Sequence, residues 1–202
     1  MAPLDELTLL DWKRRVFELY AAVRGDPDPA HAWRHWRDVR DELFRSHPQS
    51  PIPADRRDSF EGLPYFDYEP HVRVLAAIEP AEPVLREIAT SGEQPYTFRR
   101  FAHGRFELGG EERALAIFWL EGYGGGVFVS FADATSGSET YGACRYLLDT
   151  VKGSDMGMED GKVVLDFNFA YNPSCSYDPR WVCPLAPPEN RLPVPIRAGE
   201  RT

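Results

Sequence analysis

The stretch RFELGGEERALAIFWLEGYGGGVFVSFAD, residues 105–133, decides the fold. Runs rich in Phe, Ile, Leu and Val are broken by two glycine clusters, Gly109-Gly110 and then Gly122 with Gly124, Gly125 and Gly126. Such runs read as strands, and the glycines as the residues that let a chain reverse within two or three positions. Strands joined by turns this short pair antiparallel, because a parallel neighbour needs a long crossover. Upstream, HVRVLAAIEP and PYTFRRFA are strand-like, and His103-Gly104 is expected to form a tight turn into RFELGG. Downstream, further strands are expected over 145–150, 162–169 and 193–197. The class is therefore α+β: two N-terminal helices followed by an antiparallel, barrel-like β-sheet of six to eight strands.

The helices occupy the first third. Thr8 followed by Asp11 resembles a capping box. Trp12, Val16, Leu19, Tyr20 and Val23 then recur at helical spacing up to Gly25, a natural stop. Asp28-Pro29 sets an N-cap and a proline in the first turn of a second helix. Its apolar face is Trp33, Trp36, Val39, Leu43 and Phe44, ending before Pro48, and the arginines and acids between are expected to form an exposed, ion-paired face. The organisation expected is a helical segment over 1–47, a proline-rich connector over 48–69, and a β core over 70–202 that carries a proline-rich C-terminal loop. Tyr65, Phe66 and Tyr68 make the connector too aromatic for a free linker, and should press it onto the core.

Composition narrows the partners. At 202 residues with 43% hydrophobic residues, including 12 Phe, 9 Tyr and 5 Trp, the chain can build a core without a metal or disulfide staple. A formal charge of −9 argues against nucleic acid or an anionic membrane surface as partner. No run approaches the ~20 apolar residues of a membrane helix, and MAPLDELTLLDWKRR lacks the uninterrupted apolar stretch of a secretory signal. A cytoplasmic, bacterial protein follows as the expectation. A homo-oligomer is compatible with all of this.

The last quarter, residues 163–200, is the richest in chemistry: Asp166, Asn168, Tyr171, Asn172, two cysteines, Asn190, Arg191 and seven prolines. If residues from Glu139 onward form a strand, Glu139, Tyr141 and Arg145 share a face. If DFNFAYN is a strand, Asp166 and Asn168 face one way while Phe167 and Phe169 face the other. A polar inner face in a small barrel makes a ligand cavity. The expected site is thus Glu139, Tyr141 and Asp166 as catalytic acid–base groups, with Arg145, Asn168, Asn172, Asn190 and Arg191 binding the ligand. Against this stands the plainer reading that these side chains lock loops.

Cys175 and Cys183, eight positions apart, admit four roles: a metal pair, a disulfide, a nucleophile, or two small thiols packing a proline-rich loop. Their spacing is too wide for a zinc knuckle and no second cysteine or histidine pair exists, so no metal is expected. A reducing compartment disfavours a disulfide. A nucleophilic thiol needs a base or cation beside it, and no histidine lies beyond His103. Packing is the reading favoured. His31 and His35 have ligand spacing but no accompanying glutamate, and the glycine turns fit no phosphate loop, so no cofactor is expected.

FADATSGSETYGACRYL (131–147) together with GKVVLDFNFAYNPSCSYDPRWVCPLAPPENRLPVPIRAGE (161–200) resembles a bacterial and archaeal family, domain of unknown function 1684. ELFRSHPQSPIP and FEGLPYFDYEP are similar to its shorter, single-domain members, so the likeness spans roughly 33–200. Cys144 stands where glycine is usual and Ser174 where a second proline is usual. The resemblance implies no assigned activity. A small-molecule-binding β domain, as a hydrolase or isomerase if it is an enzyme, is the function the residues suggest. A non-catalytic interaction or scaffold protein, meeting its partner through Trp12, Trp33 and Trp36, is the alternative.

Overall fold

A computed structural model describes residues 5–202; the first four residues of the expected 1–47 segment lie outside the described residues. Helix α1 runs Asp5–Gly25 and α2 runs Pro29–Ser46. The Asp28 side chain accepts from the Ala30 and His31 amides at 2.9 and 3.1 Å, so the second N-cap forms as its sequence dictates. Thr8 is not a cap. It lies inside α1 and its hydroxyl donates back to the Asp5 carbonyl at 2.8 Å, a bond helical Thr commonly makes.

Among the described residues seven strands follow: β1 Arg73–Ile88, β2 Tyr96–Leu108, β3 Glu111–Leu120, β4 Gly126–Phe131, β5 Arg145–Asp149, β6 Met158–Glu159 and β7 Lys162–Asp166. They form one antiparallel sheet in the order β5-β4-β3-β2-β1-β7-β6. Gly109 and Gly110, at φ 66° and 77°, make the two-residue β2–β3 turn that only residues tolerant of positive φ can form. His103 and Gly104 form no turn; both lie inside β2, paired with Ala116 and Leu115. Glycine is needed there for closeness, since a Cβ on Gly104 would stand 3.3 Å from Ala76 Cβ and from Ile117 Cδ1. Residues 193–197 form no strand. Their main chain serves side chains instead, as described below.

The sheet curls into a half-barrel. Leu147 of β5 and Leu165 of β7, from opposite sides of the strand order, join one cluster with Phe106, Leu115, Ile117, Phe131 and Phe167. Leu192 and Ile196 of the C-terminal segment close it. The other face, through Phe98, Phe118, Phe128 and Tyr146, packs on Tyr20, Val23, Trp33 and Trp36 of the helices. Aromatic rings fill the hollow of the half-barrel, with Phe167 5.1 Å from Phe131 and 5.9 Å from Phe106.

The DFNFAYN stretch departs from the strand expected. It ends β7 at Asp166 and turns through a single 3-10 turn, Phe167–Phe169. That rotation sends Phe167 into the barrel cluster and Phe169 onto Trp36, 5.2 Å between centroids. Both faces of the stretch are therefore buried. Two of the three tryptophans of the interaction reading are taken up internally: Trp36 is fully buried, and Trp33 donates its indole N–H to the Asn168 carbonyl at 3.1 Å, while Trp12 is half-buried.

Candidate functional site

The side chains expected to line one hollow are distributed over separate places. Glu139 lies at the surface, outside any strand, and grips Arg197 with both oxygens at 2.8 and 2.9 Å. That guanidinium, by hydrogen bond and charge, holds the Glu139 carboxyl below its ordinary range. Arg191 is exposed. Arg145 is 1% exposed and donates to the carbonyls of Ile196, Ala198 and Glu200, with Asp133 beside it at 3.4 Å. It stitches the C-terminal segment to β5. Glu139, Tyr141 and Arg145 share no strand face, because the chain from Ser136 to Thr140 is a turn closed by Thr135 and Asp133.

Two asparagines act as substitutes for main chain. The β3–β4 ladder pairs Phe118 with Phe128 and goes no further. Beyond it the Asn190 carboxamide bridges the gap, accepting from the Ala116 amide at 2.7 Å and donating to the Ala116 and Ser130 carbonyls at 3.0 and 2.8 Å. Asn168 pairs in the same manner with the Glu69 amide and carbonyl, both at 2.8 Å, and so clamps the connector. All of these polar atoms are satisfied, which leaves nothing to offer a ligand.

Asp166 differs. Its Oδ1 accepts from the Asn168 amide and carboxamide, while buried Oδ2 makes no hydrogen bond and has Arg73 Nε at 3.9 Å. Burial pushes its pKa up to about 6 against the opposing bonds to Asn168. It lines a crevice of about 210 Å³ with Arg24, Asp26, Arg73 and Glu159.

A group of buried polar side chains around Arg40 was not foreseen as a site. Arg40, on α2, occupies the apolar stripe itself: it follows Trp36 and precedes Phe44 by four residues, one helical turn each way. Its side chain is 11% exposed and lies over the rings of Trp36, Phe44 and Tyr171 at 4.8–5.0 Å. Nη2 donates to Glu200 Oε2 at 2.8 Å and Nε to the Tyr65 hydroxyl at 3.0 Å. Fully buried Glu200 also accepts from the Asn172 amide, the Asn172 carboxamide and the Tyr177 hydroxyl. Burial raises the Glu200 pKa, with Arg40 and these donors pulling back. For Arg40, burial opposes the charge, but Tyr65 and Glu200 outweigh it and hold the guanidinium protonated.

Beside this pair α1, α2, the loop after β5 and the Tyr171–Ser174 segment enclose a crevice of about 70 Å³. Arg40, Tyr20, Lys152, Ser154, Tyr171 and Asn172 line it, with Trp12, Val16 and Phe44 as the apolar wall. Three of the lining residues carry a buried side-chain atom that makes no hydrogen bond: the Tyr20 hydroxyl, Ser154 Oγ and Asn172 Oδ1. The Tyr20 hydroxyl lies beside Ser154 and the Trp36 indole, and Ser154 also beside Tyr171, with Tyr20, Ser154 and Trp36 all short of bonding geometry. Burial raises the pKa of both Tyr20 and Tyr171, so their phenols stay protonated as donors. Of the expected site residues, Asn172 alone lines this crevice.

Tyr141 sits elsewhere, its hydroxyl 3.8 Å from Cys175 Sγ. All three cysteines are free, and among the described residues no group of three or more His, Cys, Asp or Glu is placed to hold a metal ion. No described helix is long and apolar enough to cross a membrane.

A family model described as "Protein of unknown function (DUF1684)" matches residues 58–201. No curated protein matches the chain. Among solved structures, the solution NMR structure of an uncharacterized protein of Haloarcula marismortui is similar at 38% identity, covering 82% of this chain and 90% of that one, with a TM-score of 0.60.

Proposed function

The chain belongs to the DUF1684 family, whose description carries no activity, and we propose from the crevice itself that the protein binds a small carboxylate between its helices and its C-terminal segment. One observation carries this reading: the hydroxyls of Tyr20 and Ser154, both buried and both without a hydrogen bond, belong to residues that line the same space. A buried polar atom without a partner costs about 1–3 kcal/mol, and two hydroxyl donors around one space favour a ligand that brings acceptors. The lining is rich in donors, with a guanidinium, an ammonium, two phenols and a hydroxyl. That set matches carboxylate oxygens, and the Trp12, Val16 and Phe44 wall suits a short alkyl tail. A volume of about 70 Å³ is several times the ~10–15 Å³ that one water requires. It is too small for a nucleotide or a sugar.

Binding is favoured over turnover at this place. Glu200, paired with the lining residue Arg40, is saturated by four donors. The test is calorimetric titration of acetate, propionate and butyrate into the protein and into the Ser154→Ala, Tyr20→Phe double variant. Saturable binding that the double variant loses supports the reading.

Asp166 favours a second reading, acid–base chemistry in the separate crevice it lines. An unpartnered carboxylate oxygen and a pKa near 6 suit a general acid or base near neutral pH. That crevice shares no lining residue with the first. Loss of an enzymatic turnover in Asp166→Asn, with the fold intact, is the outcome this reading requires.

A further inference from the structure

The 3-10 turn Ser174–Ser176 brings Cys175 against Cys183, and the pair is built rather than incidental. The Cys175 amide donates to Cys183 Sγ at 3.3 Å. The Cys183 amide donates to the Ser91 hydroxyl at 3.1 Å, and the Ser91 amide donates to the Cys183 carbonyl at 3.0 Å, which moors the strand end of β1 to this loop. Tyr141 Oη approaches Cys175 Sγ at 3.8 Å from the other side. Cys175 is half-buried, whereas Cys183 is 2% exposed. One accessible sulfur backed by one sheltered sulfur, with hydroxyl and amide donors around them, is the arrangement of an attacking and a resolving thiol.

We propose that Cys175 and Cys183 form a reversible thiol–disulfide couple, in which Cys175 attacks a low-molecular-weight disulfide and Cys183 resolves the product. In the first step the Cys175 thiolate bonds to one sulfur of the disulfide, whose S–S bond breaks and releases one thiolate. In the second, Cys183 gives its proton to solvent and attacks the Cys175 sulfur, displacing the other thiolate. Two protein thiols are oxidised and one external disulfide is reduced to two thiols, which take up the two protons released.

The titratable groups facing the pair favour this division of labour. The Cys183 thiol, with smaller help from Ser91 and Tyr141, lowers the Cys175 pKa to about 6, against the opposing effect of burial. The Cys183 thiol, donor to that thiolate and buried, has its pKa raised, with Lys152 as a weak opposing charge. Burial lifts Tyr141 to about 12, so it remains a donor to the thiolate. Cys144, also lifted to about 12 by burial, is a bystander.

The test uses oxidised glutathione on the full chain. Thiols titrated after denaturation should fall from three to one, with an internal Cys175–Cys183 bond found by peptide mapping. Cys183→Ser should instead hold one glutathione on Cys175, and Cys144→Ser should leave the couple intact. In the wild-type protein, the rate of Cys175 alkylation should rise with a midpoint near pH 6. That last readout stands even if Cys183→Ser fails to fold. A wild-type protein that retains the glutathione adduct, keeps three titratable thiols, or alkylates at Cys175 with an ordinary thiol midpoint would overturn the proposal.

Discussion

Arg40 and Glu200 are 160 residues apart in the chain and 2.8 Å apart in space. Their ion pair fastens the second helix to the C-terminal end of the β core, and almost no water reaches it. Attraction between buried charges offsets the large loss of hydration only when the remaining hydrogen-bonding positions are filled. Here Glu200 has four donors. Removal of one charge leaves the other buried and alone, so Arg40→Ala and Glu200→Gln should each destabilise the fold by about 3–5 kcal/mol. Urea denaturation reads this directly.

The unpartnered groups of the crevice predict the opposite sign. Tyr20→Phe and Ser154→Ala each delete a buried polar atom that has no partner, and should leave stability unchanged or raise it by about 1 kcal/mol. The same substitutions should weaken propionate binding about tenfold each, the effect of one lost hydrogen bond to a charged group. Side chains that merely hold the fold together would behave in reverse.

Asn190 should be purely structural. Its three hydrogen bonds extend the β3–β4 ladder where the strands part, so Asn190→Ala should cost about 2–4 kcal/mol by exposing buried amide and carbonyl groups. Thermal melting measures the loss, and carboxylate affinity of the folded fraction should not change. Glu139→Gln, which severs only a surface pair, should alter neither.

Asp166 sets a pH dependence. Its pKa is raised from the model-compound 3.8 to about 6 in the fold, so the folded state holds a proton that the unfolded state releases. Stability from this group is therefore greatest below about pH 4 and is lost as pH rises to about 6, a total of about 3 kcal/mol. Asp149 and Glu200, raised by burial, slope the same way. Asp166→Asn should flatten, without abolishing, the fall in denaturation midpoint between pH 4 and 6.

What the sequence discloses follows the range of the forces involved. Local rules suffice for the Asp28 cap, the Gly25 stop and the Gly109-Gly110 turn, because each is decided by neighbours in the chain. Gly104 reads as a turn by the same rules, but packing against Ala76 and Ile117 decides it. A period of two predicts Phe167 and Phe169 on one face, and one 3-10 turn separates them. The polar residues of the last quarter are correctly singled out as unusual, yet most are occupied by main-chain groups distant in sequence, which no spacing reveals. Arg40 did leave a signal. A charge four residues from Trp36 and four from Phe44 falls on the buried stripe, where it needs a partner, and the nearest available acid lies at the far end of the chain.

The central claim rests on the crevice, and its most direct measurement is propionate titration of the wild-type protein beside the Tyr20→Phe, Ser154→Ala double variant. Saturable one-site binding to the wild type is expected, with loss of that binding in a double variant that melts no lower. No heat of binding in the wild type, or equal affinity in a folded double variant, would contradict it.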